Sequence, residues 1–317
     1  MSQKSNSSAE ISLSERFRYY SELFTMYLAG SANANFDGLE KDYRDVNSCC
    51  QSIIGKEFSD LRAVEIGFGA KPYRIIYLNS RGVDVYGIDM DKPVLMGHPK
   101  EFLDIARNNG LLRAAKSFVR YMLFQRRAFK AFMDKLRVDK PSFEFDFKRL
   151  VVGDAGSERT WLRMPADPDV IYSFVVFEHI DPAALEKLID FLHLRTKGRN
   201  ILLYITITVY TGLFGNHLTE WYPHRAAEKG KRSEPWEHLR QNRFQADSYL
   251  NRMTRKNYND LFSKYFDIMI DKPVRPDFGK EFLTDEIREE LKQYSEYELL
   301  SNDVLFLLRP KTVAANG

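Results

Sequence analysis

Cysteine is nearly absent: Cys49 and Cys50 are the only two. Neighbouring cysteines rarely bridge each other, because the geometry is strained. Two thiols also cannot build a cysteine-rich zinc centre. A disulfide-stapled scaffold is thereby excluded, and a reducing, cytoplasmic setting is the expectation. Long apolar runs are missing too. The longest, residues 201–210, is interrupted by threonine and falls well short of the roughly 18 residues that a membrane span needs. The serine-rich start, residues 1–10, lacks the apolar core of a signal peptide. Neither sign of charge prevails. A net charge of +3 does not by itself imply a nucleic-acid partner.

What the chain does have is apolar mass. Of its 317 residues, 44% are hydrophobic, enough for one large core or two small ones. From Leu61 onward, strand and helix patterns alternate. Strands are expected over 61–66, 83–88, 149–153, 169–174, 200–207, 266–271 and 303–308, with helices between most of them, notably 182–195 and 254–265. That alternation points to a largely parallel sheet with helices on both faces. Residues 12–57 read as helical: Phe17, Tyr20, Phe24 and Tyr27 recur at helical spacing, as do Leu39, Tyr43, Val46 and Cys50. The expected organisation is a helical N-terminal cap over 1–58, an α/β domain over 59–310 and a tail over 311–317. The cap is either packed on the domain or a lid over a ligand.

The most telling stretch is Val64-Glu65-Ile66-Gly67-Phe68-Gly69. A short buried strand runs into glycines, a helix follows from Pro72, and a second strand ends at Asp89. Glycine lets the backbone turn sharply and approach a ligand where a Cβ would intrude. An acid at the end of the second strand is placed to hold ribose hydroxyls. The unit predicts a nucleoside-containing cofactor. Nicotinamide and flavin enzymes usually carry a third glycine, and here Pro72 stands in that place. Proline still suits the first turn of a helix.

Further carboxylates sharpen the reading. Glu65 lies inside an otherwise apolar strand, and a buried carboxylate needs donors or a cation, from a ligand's amino group or from loop amides. Asp154, in Gly153-Asp154-Ala155, ends the third strand where an adenine amino group could donate to it. Glu178 and His179 follow the fourth strand, at the crevice where open α/β sheets bind ligands.

Two insertions interrupt the alternation. The first, 101–147, contains a basic amphipathic helix over 107–140. Ten Lys and Arg face two Asp there, and Leu112, Ala115, Val119, Met122, Phe129 and Met133 share one apolar face. It is either a solvated face or a dock for an anionic substrate, carrier or membrane surface. The second, 211–247, is rich in His and aromatics. His217, His224 and His238, with Glu220 and Glu237, match no tight metal-ligand spacing, and no metal is expected. The segment is either packed loop or an aromatic lid in which Trp221, Tyr222 and Trp236 meet a ring or a cation.

Taken together, Glu65-Ile66-Gly67-Phe68-Gly69, Gly87-Ile88-Asp89-Met90-Asp91, Gly153-Asp154-Ala155 and the run from Asp169 to Ile180 resemble the class I S-adenosylmethionine-dependent methyltransferases. The resemblance covers about residues 60–210. It implies a Rossmann-like α/β fold: a seven-stranded, mostly parallel sheet with the last strand antiparallel. It implies S-adenosyl-L-methionine as cofactor, with Gly67 and Gly69 beside its methionine part and sugar, Asp89 on the ribose, Met90 against adenine, and Asp154 and Ala155 at the adenine edge. Glu65 and Phe174 complete the expected cofactor set. The acceptor is expected to be a small molecule, methylated on oxygen or nitrogen. His179 is the candidate base, since imidazole titrates near neutral pH, unless it only bonds a backbone carbonyl or caps a helix. Glu178 would contact the cofactor or polarise His179. A nicotinamide-dependent oxidoreductase is the rival enzyme, and a cofactor-binding scaffold docking an anionic partner through 107–140 is the non-enzymatic alternative.

Overall fold

The computed structural model describes Ser21 and residues 34–243 and 249–311. Seven strands form one sheet: β1 (Arg62–Ile66), β2 (Asp84–Asp89), β3 (Leu150–Val152), β4 (Val170–Phe174), β5 (Leu202–Thr208), β6 (Phe266–Pro273) and β7 (Asp303–Pro310). Their order is β3-β2-β1-β4-β5-β7-β6. The first five run parallel. β7 is antiparallel to both its neighbours. This is the mostly parallel, seven-stranded Rossmann-like sheet that the sequence leads one to expect.

The strands read as apolar runs because both faces are covered. All seven residues of β5 are buried. Leu202 and Tyr204 enter one core while Leu203, Ile205 and Ile207 enter the other, and β7 divides its side chains the same way. One face carries helices α1 (Phe36–Ile53), α2 (Tyr73–Ser80) and, beyond the two short helices α3 (Pro99–Asn109) and α4 (Leu111–Arg120), α5 (Arg126–Asp139). The opposite face carries α6 (Pro182–Thr196) and α7 (Arg255–Tyr265). α6 starts where Asp181 accepts from the amides of Ala183 and Ala184 and Pro182 takes the first turn, so its orphan donors are satisfied. α7 starts on a capping box between Thr254 and Asn257.

The described part of the N-terminal region packs on the sheet. Val46 and Cys50 of α1 are buried in the first core, with Leu39 and Tyr43 against it. Phe17, Tyr20, Phe24 and Tyr27 lie outside the described residues.

The basic insertion differs from the single helix expected. It breaks at Gly110, whose φ of 88° is left-handed, and again at a π turn over Tyr121–Gln125. The expected apolar face is therefore split. Phe129 and Met133 are buried, whereas Leu112, Val119 and Met122 are half or more exposed. α5 is anchored by Phe132, stacked 4.4 Å from Tyr73. Truncating Phe132 to alanine would cost about 3–5 kcal/mol. Among the described residues no helix is long and apolar enough to cross a membrane.

A third core forms beyond the carboxyl end of β5. Leu213, Phe214, Trp221 and Trp236 pack against Leu283, Ile287, Leu291 and Leu299. The aromatic insertion and the late excursion over 272–301 thus bury each other's apolar surface. Trp221 and Trp236 are core residues here, which takes them out of a solvent-facing aromatic lid.

Candidate functional site

The glycine loop, Asp89 and residues 153–155 leave the sheet at one edge. The amide of Gly67 donates to the carbonyl of Ile88 at 2.8 Å, and that of Gly153 to the carbonyl of Asp89 at 2.8 Å. These crossing bonds hold the three carboxyl ends together. The carboxylate of Asp89 then organises the loops. Its Oδ2 accepts from the Gly69 amide at 2.7 Å and its Oδ1 from the Asp91 amide at 2.9 Å. Burial pushes the Asp89 carboxyl above its ordinary pKa, while those amide bonds favour the charged form.

A cavity of about 860 Å³ opens in front of this junction. Gly69 and Asp89 form part of its wall, and Leu112, Arg113, Lys116 and Arg120 of α4 form another part. Arg113 forms an ion pair with Asp91, and Lys92 pairs with Asp104 at 2.8 Å. The basic insertion therefore faces the cavity from across the lip that follows β2. Sequence reasoning missed this placement.

The two glycines do different work. At Gly67 (φ 83°) a Cβ would come within 2.4 Å of Val176 Cγ2, so the absent side chain makes room for the chain leaving β4. At Gly69 (φ 63°) a Cβ would meet nothing within 4 Å. Gly69 is thus the loop glycine that borders open space.

The remaining expected cofactor residues are spread along the edge, outside the wall of this cavity. Met90 is exposed. Asp154 is exposed and its Oδ1 accepts from the Gly156 amide at 2.8 Å. Ala155 is buried and its carbonyl accepts from the Trp161 indole at 2.7 Å. Glu65 is buried and finds its cation within the chain: Arg74 Nη1 lies 2.8 Å from Oε1, and the Tyr172 hydroxyl donates to Oε2 at 3.3 Å. Arg74 also reaches Asp42 on α1 at 3.0 Å and lies 3.8 Å over the ring of Phe174. Burial pushes the Glu65 carboxyl upward against the pull of Arg74. Glu65 and Arg74 border a second, small cavity of about 110 Å³. An arginine on α2 opposite a lone strand carboxylate was a signal the sequence carried.

Past β4 the chain turns at Val175, whose φ of 56° is left-handed, into a short 3-10 turn over Phe177–His179. Glu178 is buried, and burial pushes its carboxyl up to about 8. Its Oε1 lies 3.4 Å from the Thr208 amide and 3.9 Å from His217 Nε2. His179 is exposed, with Nδ1 2.9 Å from the Tyr249 carbonyl, so it does make the backbone bond allowed for it. Tyr249 itself lines the large cavity. His217 comes from the loop after β5, with its ring 5.0 Å from that of His179. Burial, with His179 alongside, holds the His217 imidazole down at about 4.

The other histidines of that loop do not join them. His238 is buried with Nε2 2.7 Å from the Tyr210 carbonyl, and burial holds it down at about 4. Glu220 accepts from the amides of Arg232 and Ser233, and Glu237 pairs with Arg243. His224 is exposed. Among the described residues, the group with metal-ligand proximity is Glu178, His179 and His217. Distance in sequence hid the third member.

No protein-family model and no curated protein matches the chain. Solved structures of similar shape include the methyltransferase domain of a bacterial Hen1 protein (11% identity over 85% of this chain and 98% of that one, TM-score 0.40). Others are a SAM-dependent methyltransferase from Archaeoglobus fulgidus (13%, 88% and 100%, TM-score 0.37) and phosphoethanolamine N-methyltransferase 2 from Haemonchus contortus (17%, 84% and 53%, TM-score 0.37). Likenesses this distant carry no argument; the strand order does. With β7 inserted antiparallel between β5 and β6, and a strand–glycine loop–helix–strand–acid unit at its centre, the chain has the Rossmann-like fold of the class I S-adenosylmethionine-dependent methyltransferases.

Proposed function

We propose that this chain is an S-adenosylmethionine-dependent methyltransferase acting on an oxygen or nitrogen of a small-molecule acceptor. The observation that carries the reading is the Gly69–Asp89 junction: a bare backbone turn bonded to a partly buried carboxylate, both facing a cavity of about 860 Å³. Cavities of that order hold cofactor-sized and drug-sized ligands. In this reading Asp89 accepts from the ribose hydroxyls with its remaining lone pairs. Gly67 and Gly69 keep the loop low beneath the sugar and methionine part. Met90 covers adenine, and Asp154 with Ala155 meets its edge.

Methyl transfer is an in-line displacement at a sulfonium carbon. The cofactor supplies the leaving group, so the chain's task is to align the acceptor and handle its proton. Glu178 and His179 stand beside Val176, which packs on Gly67, and so serve the acceptor side. The wall formed by Arg113, Lys116 and Arg120 favours an acceptor that carries a carboxylate or phosphate. A nicotinamide enzyme is disfavoured by Pro72 in the third glycine's place, directly before α2.

Incubation with methyl-tritiated S-adenosylmethionine and a fractionated cell extract tests the reading. Label should appear in low-mass anionic products. Label confined to RNA or protein, or a complete lack of transfer, would contradict it.

A further inference from the structure

We propose that Glu178, His179 and His217 bind a divalent transition-metal ion at the carboxyl edge of the sheet. One ligand atom from each lies within 4.8 Å of the other two. A shift of less than about 1 Å per side chain would bring all three to the roughly 2.1 Å bonds such ions make.

Two orphaned atoms mark the spot. Glu178 is 3% exposed, and its Oε2 has no hydrogen-bond partner. His217 Nε2 is also buried without one, 3.9 Å from Glu178 Oε1. That separation is too long for a hydrogen bond and right for two ligands of one ion. Buried polar atoms are otherwise nearly always paired, so an orphan on each of two neighbouring side chains calls for a partner that the chain itself does not supply. Among the described residues Glu178 has no ion pair to Lys or Arg.

The third donor is pre-set. The Nδ1–H of His179 donates to the Tyr249 carbonyl, which leaves Nε2 as the lone-pair nitrogen. Metal-binding histidines are commonly oriented by such a bond. The backbone is strained on both sides of the cluster. Val175, a β-branched residue, has φ 56°, and His217 has φ 59°. Left-handed backbone of this kind persists where the surrounding structure enforces it, and it clusters at ligand-holding sites. The turn at Val175 presents Glu178 and His179; the turn at His217 sends its ring back towards them.

Two imidazole nitrogens and one carboxylate suit zinc, iron or cobalt, and three protein donors leave positions open. The role of the ion rests on the methyltransferase reading; its binding does not. In that role it takes a hydroxyl oxygen of the acceptor and favours release of the hydroxyl proton to water. The oxygen then bonds the methyl carbon as the carbon–sulfur bond breaks, and its electron pair stays on S-adenosylhomocysteine.

The test is calorimetric titration of the EDTA-stripped full chain with Zn²⁺, without cofactor, alongside Co²⁺ absorption spectra. Wild type should take up one ion per chain and give a Co²⁺ ligand-field band. His217→Asn tolerates the left-handed backbone, so it should stay folded by circular dichroism and bind at least about tenfold more weakly. His179→Asn should do the same, and His224→Gln, in the exposed part of the loop, should bind as wild type. Absence of uptake by wild type, or wild-type affinity in both His217→Asn and His179→Asn, would overturn the proposal. A parallel titration with S-adenosylhomocysteine separates the two readings. Cofactor binding without ion uptake removes the metal site alone. Ion uptake without cofactor binding removes the methyltransferase reading and leaves the metal site standing.

Discussion

The amide of Gly69 donates to Oδ2 of Asp89 at 2.7 Å, which ties the loop after β1 to the acid that ends β2. The same carboxylate holds Asp91 through its other oxygen. Replacing Asp89 by alanine therefore loosens both loops and, on the proposed function, removes a contact to the cofactor. S-adenosylhomocysteine should bind about 1–3 kcal/mol more weakly, as expected for lost bonds to a charged group. Calorimetry on the variant reads this directly, and unchanged affinity would remove Asp89 from the site.

Gly67 and Gly69 should separate stability from binding. A methyl at Gly67 would meet Val176 Cγ2 at 2.4 Å, so Gly67→Ala should lower stability by about 1–3 kcal/mol through crowding and backbone strain. Gly69→Ala adds its methyl to open space. It should cost only about 1 kcal/mol of stability, from the left-handed φ. Its larger effect should be on cofactor affinity. Urea midpoints and binding constants for both variants test the division; equal losses of stability would contradict it.

The pairing of Arg74 with Glu65 makes a third prediction. Arg74→Met leaves a buried carboxylate with Tyr172 as its remaining side-chain donor and frees Asp42 of α1. Breaking one half of a buried pair costs about 3–5 kcal/mol. The double variant with Glu65→Gln should recover at least half of that loss in urea unfolding. A double variant as unstable as the single one would show that packing of Arg74 on Phe174 dominates.

His238 predicts an acid-side loss of stability. Burial, with Arg252 acting in the same sense, holds the folded imidazole at about 4, against the bond to the Tyr210 carbonyl; the ordinary value is 6.5. The unfolded chain thus takes the proton first. The contribution is fully present above about pH 6.5 and is lost as pH falls towards about 4, which amounts to about 2 kcal/mol between pH 7.5 and 5. His238→Gln cannot titrate there. Its urea midpoints should fall less over the same pH range than those of wild type, and parallel pH slopes would refute the assignment.

Much of this was legible in the sequence. Both-face burial wrote β4 and β5 as apolar runs, and Asp181-Pro182 and Thr254 marked helix starts. The glycine loop and Asp89 met where strand spacing implied. What the sequence hid depended on tertiary geometry. The stripe from Leu112 to Met133 read as one helix face, yet Gly110 and the π turn redirect the chain, so only its second half reaches the core. Trp221 and Trp236 stayed open between loop packing and a ligand-facing lid, because their partners Leu283 and Leu291 were unrecognised. His217 joined Glu178 only through a left-handed turn, which no local pattern announces.

The central claim is that the Gly69–Asp89 junction receives an adenosyl group. Calorimetric titration of wild type and Asp89→Ala with S-adenosylhomocysteine, and separately with NADH, tests it most directly. The account predicts saturable binding of S-adenosylhomocysteine by wild type, weakened in the variant, and no heat from NADH. Heat from NADH with none from S-adenosylhomocysteine would contradict it.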